Sequence, residues 1–586
     1  MPDTNSRLAR ARQVMNQHGI DVLLVPTGDA HLSEYISERW QTRAYLSGFT
    51  GSAGTLVITG DIAGLWVDSR YHMRADSETA GTEITVFKQG RPATPEVIEW
   101  LSGELAPGST LSLDPEAVSA ETLVELREKL NAEVRPVKGL VDAIWTDRAA
   151  TEPAPLAEHP LAYAGESAAE KLSRLRARLS EIGATSILVT GLDEVAWLLN
   201  LRGSDVPLNP VALAFCVVSM DGVRLFVHQD QVSTSLAEAL QDEVEIRPYD
   251  SVVDYLSDLP AATSLALDPA KTSVLLYQAA EHMQLVPTPS PVQLLKAVKN
   301  STELEGAAEA YLQDGIAVTR LLHWLSVTDP TTQTELSVAE KLEEFRSGLP
   351  GYRGRSFETI VGFGPNSSVG HYKLDRIKPQ ALGPDDLLLL DCGVQFSYGT
   401  TDTTRTVVLG RPTADQKRTY TTVLKSLIML GSARFPKGTT GQQLDAIARY
   451  QLWNQLWDCR HGIGHGIGSY LHVHEGPQRI NRTNQVAFEP GMMNSCEPGV
   501  YFEGEFGVRL ENVIVTAEAG ESVFGDFYRF DTLTLCPFDR VLIDVELLDE
   551  REVAWLDRYH RRVFDRLAPH LSSDETDWLA AMTARL

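Results

Sequence analysis

The sequence predicts a multidomain protein of mixed α/β and α+β class: two related α/β domains, then a domain built on antiparallel hairpins. Three observations predict it. The chain has 586 residues, too many for a single hydrophobic core. A helix–glycine–strand unit near the N-terminus recurs from Lys171. Two later stretches each set a pair of acids symmetrically about a tight turn.

The repeat comes first along the chain. "RLARARQVMNQHGIDVLLVP" from Arg7 aligns without gaps onto "KLSRLRARLSEIGATSILVT" from Lys171. Arg10 and Arg12 fall on Arg174 and Arg176, Gly19 on Gly183, and Leu23-Leu24-Val25 on Ile187-Leu188-Val189. Each copy reads as an amphipathic helix, a glycine C-cap and a buried strand. Further strand-like runs follow each copy, so two α/β domains of common ancestry are expected, over 1–150 and 151–295. The Pro-rich Leu285–Gln293 closes the second. A long helix should then start at Ser301 as N-cap, with acids in its first turn. This third domain is expected over 296–526. A C-terminal extension over 527–586, with strands and a helix of its own, is expected to pack on it.

The two hairpins carry the chemistry. "LLLLDCGVQFSYGTTDTTRTVVL" turns at Phe396–Gly399, with Asp391 and Asp402 equidistant from a centre between Phe396 and Ser397. Equidistant residues in a hairpin lie roughly opposite, with Cβ atoms about 5 Å apart. "NSCEPGVYFEGEFGVRLENVIV" turns at Glu503-Gly504-Glu505, and Glu497 and Glu511 are equidistant from Gly504. Facing acids repel and need a counter-charge. Arg405 and Arg509 are the candidates for ordinary salt bridges, which would explain either hairpin alone. Two such pairs with a histidine cluster between them favour a metal.

That cluster is "CRHGIGHGIGSYLHVHEGP", from Cys459 to Pro477. His461 and His465 have the spacing of a zinc-protease helix, but the surrounding glycines make a helix expensive and no glutamate follows His461. A tight loop in which at most one of the two ligates is expected, and His472 reads as a hydrogen-bonded structural residue. Four carboxylates and one histidine form a hard ligand set for two divalent ions, whose four positive charges the carboxylates would neutralise. Oxygen-rich ligation favours Mn2+, with Co2+ and Zn2+ the other candidates. Such a pair would acidify a bridging water and polarise a carbonyl, which is machinery for amide hydrolysis.

The order of Asp391, Asp402, HGxGHGxG, EPG and RLENV resembles the pita-bread metallopeptidases, which include methionine aminopeptidase, prolidase and aminopeptidase P. "DAHLSEYISERWQTRAYLSGFTGSAG", "LRGSDVPLNPV", "KAVKNSTELEGAAEAYLQDG" and "FDTLTLCPFDRVLIDVELL" resemble the long, three-domain aminopeptidase P in particular. The resemblance spans nearly the whole chain. It implies two creatinase-like N-terminal domains and a pita-bread catalytic domain with a curved antiparallel sheet flanked by helices. It also implies metal ligands Asp391, Asp402, His465, Glu497 and Glu511, with Asp402 and Glu511 bridging. His371 would match a proton-relay histidine, with Glu497 as its partner, and His474 one that contacts the substrate carbonyl. His461 would match one beside the proline pocket, and Arg509 one on the leaving-group side. The implied reaction is attack of a bridging hydroxide on an Xaa–Pro bond, releasing the first residue of peptides with proline second. A prolidase restricted to dipeptides, a metal-free creatinase and a noncatalytic peptide-binding module are the competing readings; the complete ligand set disfavours the last two. Two departures stand out: Ser367-Ser368 where the family often has Gly-Ala, and Cys496 where it commonly has Asn. The latter sets an oxidisable group beside Glu497.

The net charge of −27 argues against a nucleic-acid partner. The N-terminal "MPDTNSRLARARQVMNQHG" lacks the apolar stretch of a signal peptide, and "VALAFCVVSM", about the longest apolar run, is too short to cross a membrane. Five scattered cysteines form no CxxC pair, so a reducing cytoplasm is expected. Family likeness implies a homodimer, with the region after Phe527 as the candidate contact.

Overall fold

A computed structural model describes residues 3–586; the first two residues of the stretch read for a signal peptide lie outside them. The chain forms two compact units. One runs to His159 and resumes over Glu166–Leu295; the other holds Pro160–Gly165 and Lys296–Leu586.

In the first unit the repeat folds twice in the same way. Helix α1 (Thr4–Gln17) leads into β1 (Val22–Pro26), and α2 (Ala168–Glu181) into β7 (Ser186–Val189). β1 pairs antiparallel with β2 (Thr55–Ile58), β2 antiparallel with β3 (Ala63–Val67), and β3 parallel with β4 (Ile84–Lys88). On the other side of β1, β5 (Thr110–Leu113) and β6 (Glu133–Val134) add in parallel. The second sheet repeats every sense of pairing. β7 meets β8 (Ala214–Ser219), β8 meets β9 (Val223–Val227) and β9 meets β10 (Val244–Pro248), with β11 (Ser264–Leu267) and β12 (Gln284–Pro287) on the far side.

The helices bury matching positions: Leu8, Ala11 and Met15 in α1, and Leu172, Leu175 and Leu179 in α2. Gly19 and Gly183 hold positive φ, +62° and +74°, where a side chain would be strained. Arg12 Nε donates to the Thr59 carbonyl at 2.8 Å and Arg176 Nε to the Ser219 carbonyl at 3.0 Å, so each helix is tied to the end of the second strand of its sheet.

The second unit is antiparallel in its strand pairings. Its long helix α3 (Ser301–Val327) is capped by Asn300, one residue before the expected Ser301. Asn300 accepts the Glu303 N–H while the Glu303 carboxylate accepts the Asn300 N–H, a reciprocal box that a serine at the next position cannot close. One three-stranded sheet orders β13 (Ile360–Phe363), β14 (Asp386–Cys392) and β15 (Thr403–Leu409). A six-stranded sheet holds β16 (Arg434–Pro436), β17 (Gly464–Gly466), β18 (Glu475–Ile480), β19 (Met493–Cys496), β20 (Asn512–Ser522) and β21 (Gly525–Thr532), in the order β16-β21-β20-β19-β17-β18. Helices α4 (Ala414–Gly431), α5 (Gly441–Trp453) and α6 (Glu550–Leu567) bury Leu424, Leu427, Leu444, Leu452, Leu556 and Val563 in one core with Ile480, Ile514 and Phe530 of the sheet.

The C-terminal stretch differs from expectation. It contributes one strand, β21, which pairs with β20. "RVLIDVELL" forms two short 3-10 turns rather than a strand, because Asp539 and Asp544 cap the amides of Val541 and Glu546 and start a turn each. α6 and α7 (Ser573–Met582) follow.

The strand period of two decides which side of β14 and β15 carries chemistry. Leu388, Leu390 and Cys392 pack on Ala317, Val318 and Leu321 of α3, so Asp391 faces the other way. Arg405 shares the core face with Leu390, its register partner. It donates to the carbonyls of Thr404, Glu511, Pro537 and Cys536, to Asn512 Oδ1 and to Tyr559 Oη. It therefore ties α6 and the C-terminal stretch to the sheet, and it meets Glu511 through the main-chain carbonyl rather than the carboxylate. Arg405→Met is expected to lower stability by at least about 3 kcal/mol, because several buried acceptors lose their donor. Urea unfolding checks this; a loss below about 1 kcal/mol would contradict it.

Candidate metal centre

The first acidic pair is diagonal rather than opposite. Asp391 pairs with Thr404, and the ladder continues through Gln395 with Thr400 to Phe396 with Gly399, so the turn centres between Ser397 and Tyr398. The one-residue shift moves Asp402 a step off the end of β15 but leaves it on the same face as Asp391. The second hairpin has the expected register: Cys496 pairs with Asn512 and Gly499 with Arg509, with Glu497 and Glu511 between them. The ladder opens there. The Glu497 N–H goes to the Ile463 carbonyl and the Glu511 N–H to the Thr404 carbonyl, which brings the His465 strand and β15 against the two acids.

His465 lies on β17, a three-residue strand inside the expected loop. Its glycine neighbours are a packing requirement. A Cβ on Gly464 would sit 2.0 Å from the Ser495 carbonyl oxygen, and one on Gly466 2.8 Å from that of Glu475. His465 Nδ1 bonds the Gly466 carbonyl at 2.9 Å, which makes Nδ1 the protonated nitrogen and turns Nε2 toward the acids. Nε2 stands 3.5 Å from Asp402 Oδ2 and 3.6 Å from Glu497 Oε1. Ligand atoms of Asp402, His465 and Glu511 all lie within 4.8 Å of one another.

Around this knot the other expected residues take distinct places. Arg509, on the ribbon Gly499–Arg509, donates from Nη2 to Asp391 Oδ2 at 2.6 Å and from Nη1 to Tyr501 Oη at 2.7 Å. It also reaches Thr404 Oγ1, which donates to Glu511 Oε2 at 2.9 Å. His461 Nδ1 bonds its neighbour's carbonyl at 2.7 Å, so Nε2 accepts from Tyr501 Oη at 2.8 Å. Burial holds the His461 pKa below its ordinary value, in keeping with that neutral tautomer. The His474 ring meets His465 edge-on, with centroids 4.3 Å apart. His371 follows Gly370, whose carbonyl accepts from Arg509 Nη1 at 3.3 Å. His472 is half-buried and its carbonyl closes a turn with the Gly468 N–H.

Two departures from family likeness also find places. The hydroxyls of Ser367 and Ser368 accept the N–H groups of Gly507 at 2.8 Å and Gly504 at 3.3 Å, fastening the His371 loop to the ribbon. Cys496 points into the core, where burial pushes its thiol pKa up, so it is inert rather than an oxidisable group at the site.

Each segment of the site is held from behind by a buried polar or charged group that sequence reading did not single out. Tyr311 of α3 accepts the Asp402 N–H at 3.1 Å, and Asp314, paired with Arg346, accepts from Thr401 at 2.8 Å. Arg449 of α5 donates to the carbonyls of Cys459 and His461. Glu335 accepts from the Phe363 N–H, Asn366 and Tyr372, bracketing the loop before His371. No local pattern marks these groups; only the small i, i+3 offset of Tyr311 and Asp314 on one helix face hints at a shared task.

The residues fit divalent cations. Asp391 Oδ1 and Glu511 Oε1 are buried without a hydrogen-bond partner, though a carboxylate oxygen seeks a donor or a cation. Burial first, then the charges of Glu511, Asp391 and Glu497, lifts the Asp402 pKa well above the ordinary carboxylate range. Burial, then the charges of Glu497 and Asp391, does the same for Glu511. Glu497 is raised as well, with burial again the largest cause. Without cations, this group resists ionising together.

Comparison with known proteins adds context. The description "Metallopeptidase family M24" matches residues 305–518, and "Creatinase/Prolidase N-terminal domain" matches 7–144 and again 147–303. "C-terminal region of peptidase M24" matches 526–586. The chain is 38% identical to the probable Xaa-Pro aminopeptidase P of Laccaria bicolor, over 98% of this chain and 93% of that protein. It is also 38% identical to aminopeptidase P2 of Arabidopsis thaliana, over 98% of this chain and 88% of that one. The crystal structure of the Caenorhabditis elegans X-prolyl aminopeptidase, described as a cytosolic enzyme with a di-nuclear active site, is similar with a TM-score of 0.96 and 32% identity, covering 100% of both chains.

The raised carboxyl pKa values set a pH dependence for metal-stripped protein. The folded state then binds more protons than the unfolded one above about pH 4, so stability falls as pH rises through and beyond that range. The melting temperature of the stripped protein is expected to drop from pH 5 to pH 8, and saturating Mn2+ is expected to remove most of that slope. An apo melting temperature that rises across this range would contradict the reading.

Proposed function

The chain belongs to metallopeptidase family M24, alongside the Xaa-Pro aminopeptidases P, and we propose that Asp391, Asp402, His465, Glu497 and Glu511 hold the ions with which it works. It is a metallo-aminopeptidase that releases the N-terminal residue from peptides with proline second. The carrying observation is the convergence of Asp402, His465 and Glu511 on one point, beside carboxylate oxygens with no other partner. The cofactor is a pair of divalent cations. Mn2+ is our assignment because four of the five ligands are carboxylates, with Co2+ and Zn2+ the other candidates. Asp402 and Glu511, the most buried of the acids, are assigned as the shared ligands.

When bound, the ions supply Lewis acidity toward the scissile carbonyl and lower the pKa of the nucleophilic water. The protein's groups do the rest. Arg509 fixes the Asp391 carboxylate so that one oxygen stays free to ligate, and Thr404 does the same for Glu511. His474, whose ring meets that of His465, is assigned to donate to the developing oxyanion. His371, with Glu497 as partner, is assigned the proton for the departing proline nitrogen. His461, held neutral by Tyr501, lines the pocket for the pyrrolidine ring, which has no N–H and a fixed φ.

Five free, buried cysteines suit a reducing compartment, and we assign the enzyme to the cytoplasm. We propose a homodimer that uses the C-terminal extension over 527–586, where Val541, Val545 and Leu547 expose 51%, 45% and 41% of their surface.

With Mn2+ supplied, mass spectrometry is expected to show loss of Arg from an Arg-Pro-Pro peptide, and cleavage of four-residue Xaa-Pro peptides as well as Xaa-Pro dipeptides. Cleavage of dipeptides alone would make the enzyme a prolidase. Asp402→Ala is expected to lose bound metal and at least about 100-fold in kcat/KM, because removing a shared ligand opens the site. Undiminished activity would overturn the assignment. Sedimentation is expected to show a dimer that Val545→Asp with Leu547→Asp converts to monomer; a monomeric parent would refute the assembly.

A further inference from the structure

One buried carboxylate organises the segment that carries His371. Glu335 opens the helix Glu335–Ser347 and is fully enclosed. Its Oε1 accepts the Phe363 N–H at 2.8 Å and Asn366 Nδ2 at 2.9 Å, and its Oε2 accepts the Tyr372 hydroxyl at 2.7 Å. Asn366 Nδ2 also donates to Tyr372 Oη at 3.0 Å, which closes a triangle of side chains. The Glu335 main chain holds the far end of the same segment: its N–H donates to the Gln380 carbonyl at 3.0 Å, and Thr334 bridges Ala381. A single residue therefore fastens the chain where it leaves β13, at its middle and where it returns toward β14. A carboxylate suits that task, because its two oxygens offer about four acceptor sites to the donors that converge on them.

His371 sits between two of the holds on this segment. On one side the Gly370 carbonyl accepts from Arg509 Nη1 at 3.3 Å, and the same guanidinium grips Asp391. On the other side the Tyr372 ring is tied through its hydroxyl to Glu335. Beyond Tyr372 the grip lapses, and residues 375–378 are exposed. Peptide units are planar, so fixing the residues on both sides leaves the main chain at His371 few free dihedrals.

We propose that Glu335 and Tyr372 are positioning residues, which hold His371 where it delivers a proton to the departing proline nitrogen. The inference rests on the assignment of His371 to the reaction, made above. As the Xaa–Pro C–N bond breaks, its electron pair stays on the proline nitrogen, which takes the proton that His371 relays from the attacking water. Glu335 is fully buried, so its effect on turnover passes through the segment rather than through contact with the peptide.

Loaded with Mn2+, Tyr372→Phe is expected to keep its metal, a melting temperature within a few degrees of the parent, and KM for the Arg-Pro-Pro peptide within about twofold, while kcat falls about fivefold. Glu335→Ala is expected to lose about tenfold in kcat. Glu335→Gln is expected to recover most of that, because its amide keeps an acceptor for Phe363 and Asn366 and can donate to the Tyr372 hydroxyl. A leaving-group series separates positioning from general loosening of the fold. With 4-fluoroproline in the second position, whose nitrogen is less basic and departs with less help from an acid, the loss is expected to shrink in each variant. Parental kcat in both Tyr372→Phe and Glu335→Ala, a loss explained wholly by missing metal, or equal losses on the two peptides would overturn the proposal. If Glu335→Ala does not fold, Tyr372→Phe decides by the same measures. His371→Ala in the same assay separates the two readings. Full activity there removes the assignment of His371 and the positioning role with it. A His371→Ala loss that shrinks with fluoroproline, beside fully active Glu335 and Tyr372 variants, removes the positioning role alone. A parent inactive on both peptides removes the proposed function as well.

Discussion

The mutual repulsion of Asp391, Asp402, Glu497 and Glu511 is the constraint on which the rest of the second unit depends. Left to itself, such a group would protonate or move apart, since like charges in a dry cleft cost far more than in water. The fold answers with one guanidinium, Arg509, on one carboxylate, and it leaves Asp391 Oδ1 and Glu511 Oε1 buried without a hydrogen-bond donor. Arg509 alone cannot balance four acids. The residual charge is what a multivalent cation would offset, and it is why the surrounding segments must resist being pushed outward.

That resistance comes from the far side of each segment. Asp314 with Arg346, Arg449 and Glu335 are buried groups that grip main chain or neighbouring side chains beside the site, and never the reacting side chains themselves. A carboxylate held through its backbone keeps both of its oxygens for ligation. The division of labour follows from strand geometry: one face of β14 and β15 carries Asp391 and Thr404 and the other carries Arg405 and meets α3, so bracing groups and candidate ligands occupy alternate residues.

Much of this was legible in the sequence, for reasons that differ by residue. The repeat showed because burial at Leu8, Ala11 and Met15 and at Leu172, Leu175 and Leu179 answers to the same helical period in both copies. Glu497 and Glu511 were readable because a glycine at the turn centre fixes the register of their hairpin. Asp391 and Asp402 were misplaced by one step, since their turn has no such glycine and its centre cannot be counted from the strands alone. Arg405 and Arg509 looked equivalent as counter-charges; only the parity of β15 against β14 separates them. Asn300 and Ser301 compete as caps, and the reach of Glu303 decides. The bracing groups were hidden because their partners lie far away in the chain, as with Asp314 and Thr401.

The glycines about His465 carry a consequence for how such an enzyme can diversify. Gly464 and Gly466 sit where any side chain would collide with main chain, so this stretch is closed to mutational exploration whatever selection demands. New specificity has to be written elsewhere on the rim. The join between the His371 loop and the 499–509 ribbon offers some of that freedom through the Ser368 hydroxyl on Gly504, although Gly507 is closed as well, its Cβ position meeting the Ser367 carbonyl. The molecule thus separates an immutable floor from an editable wall, and variation among relatives in peptide preference should accumulate in the wall.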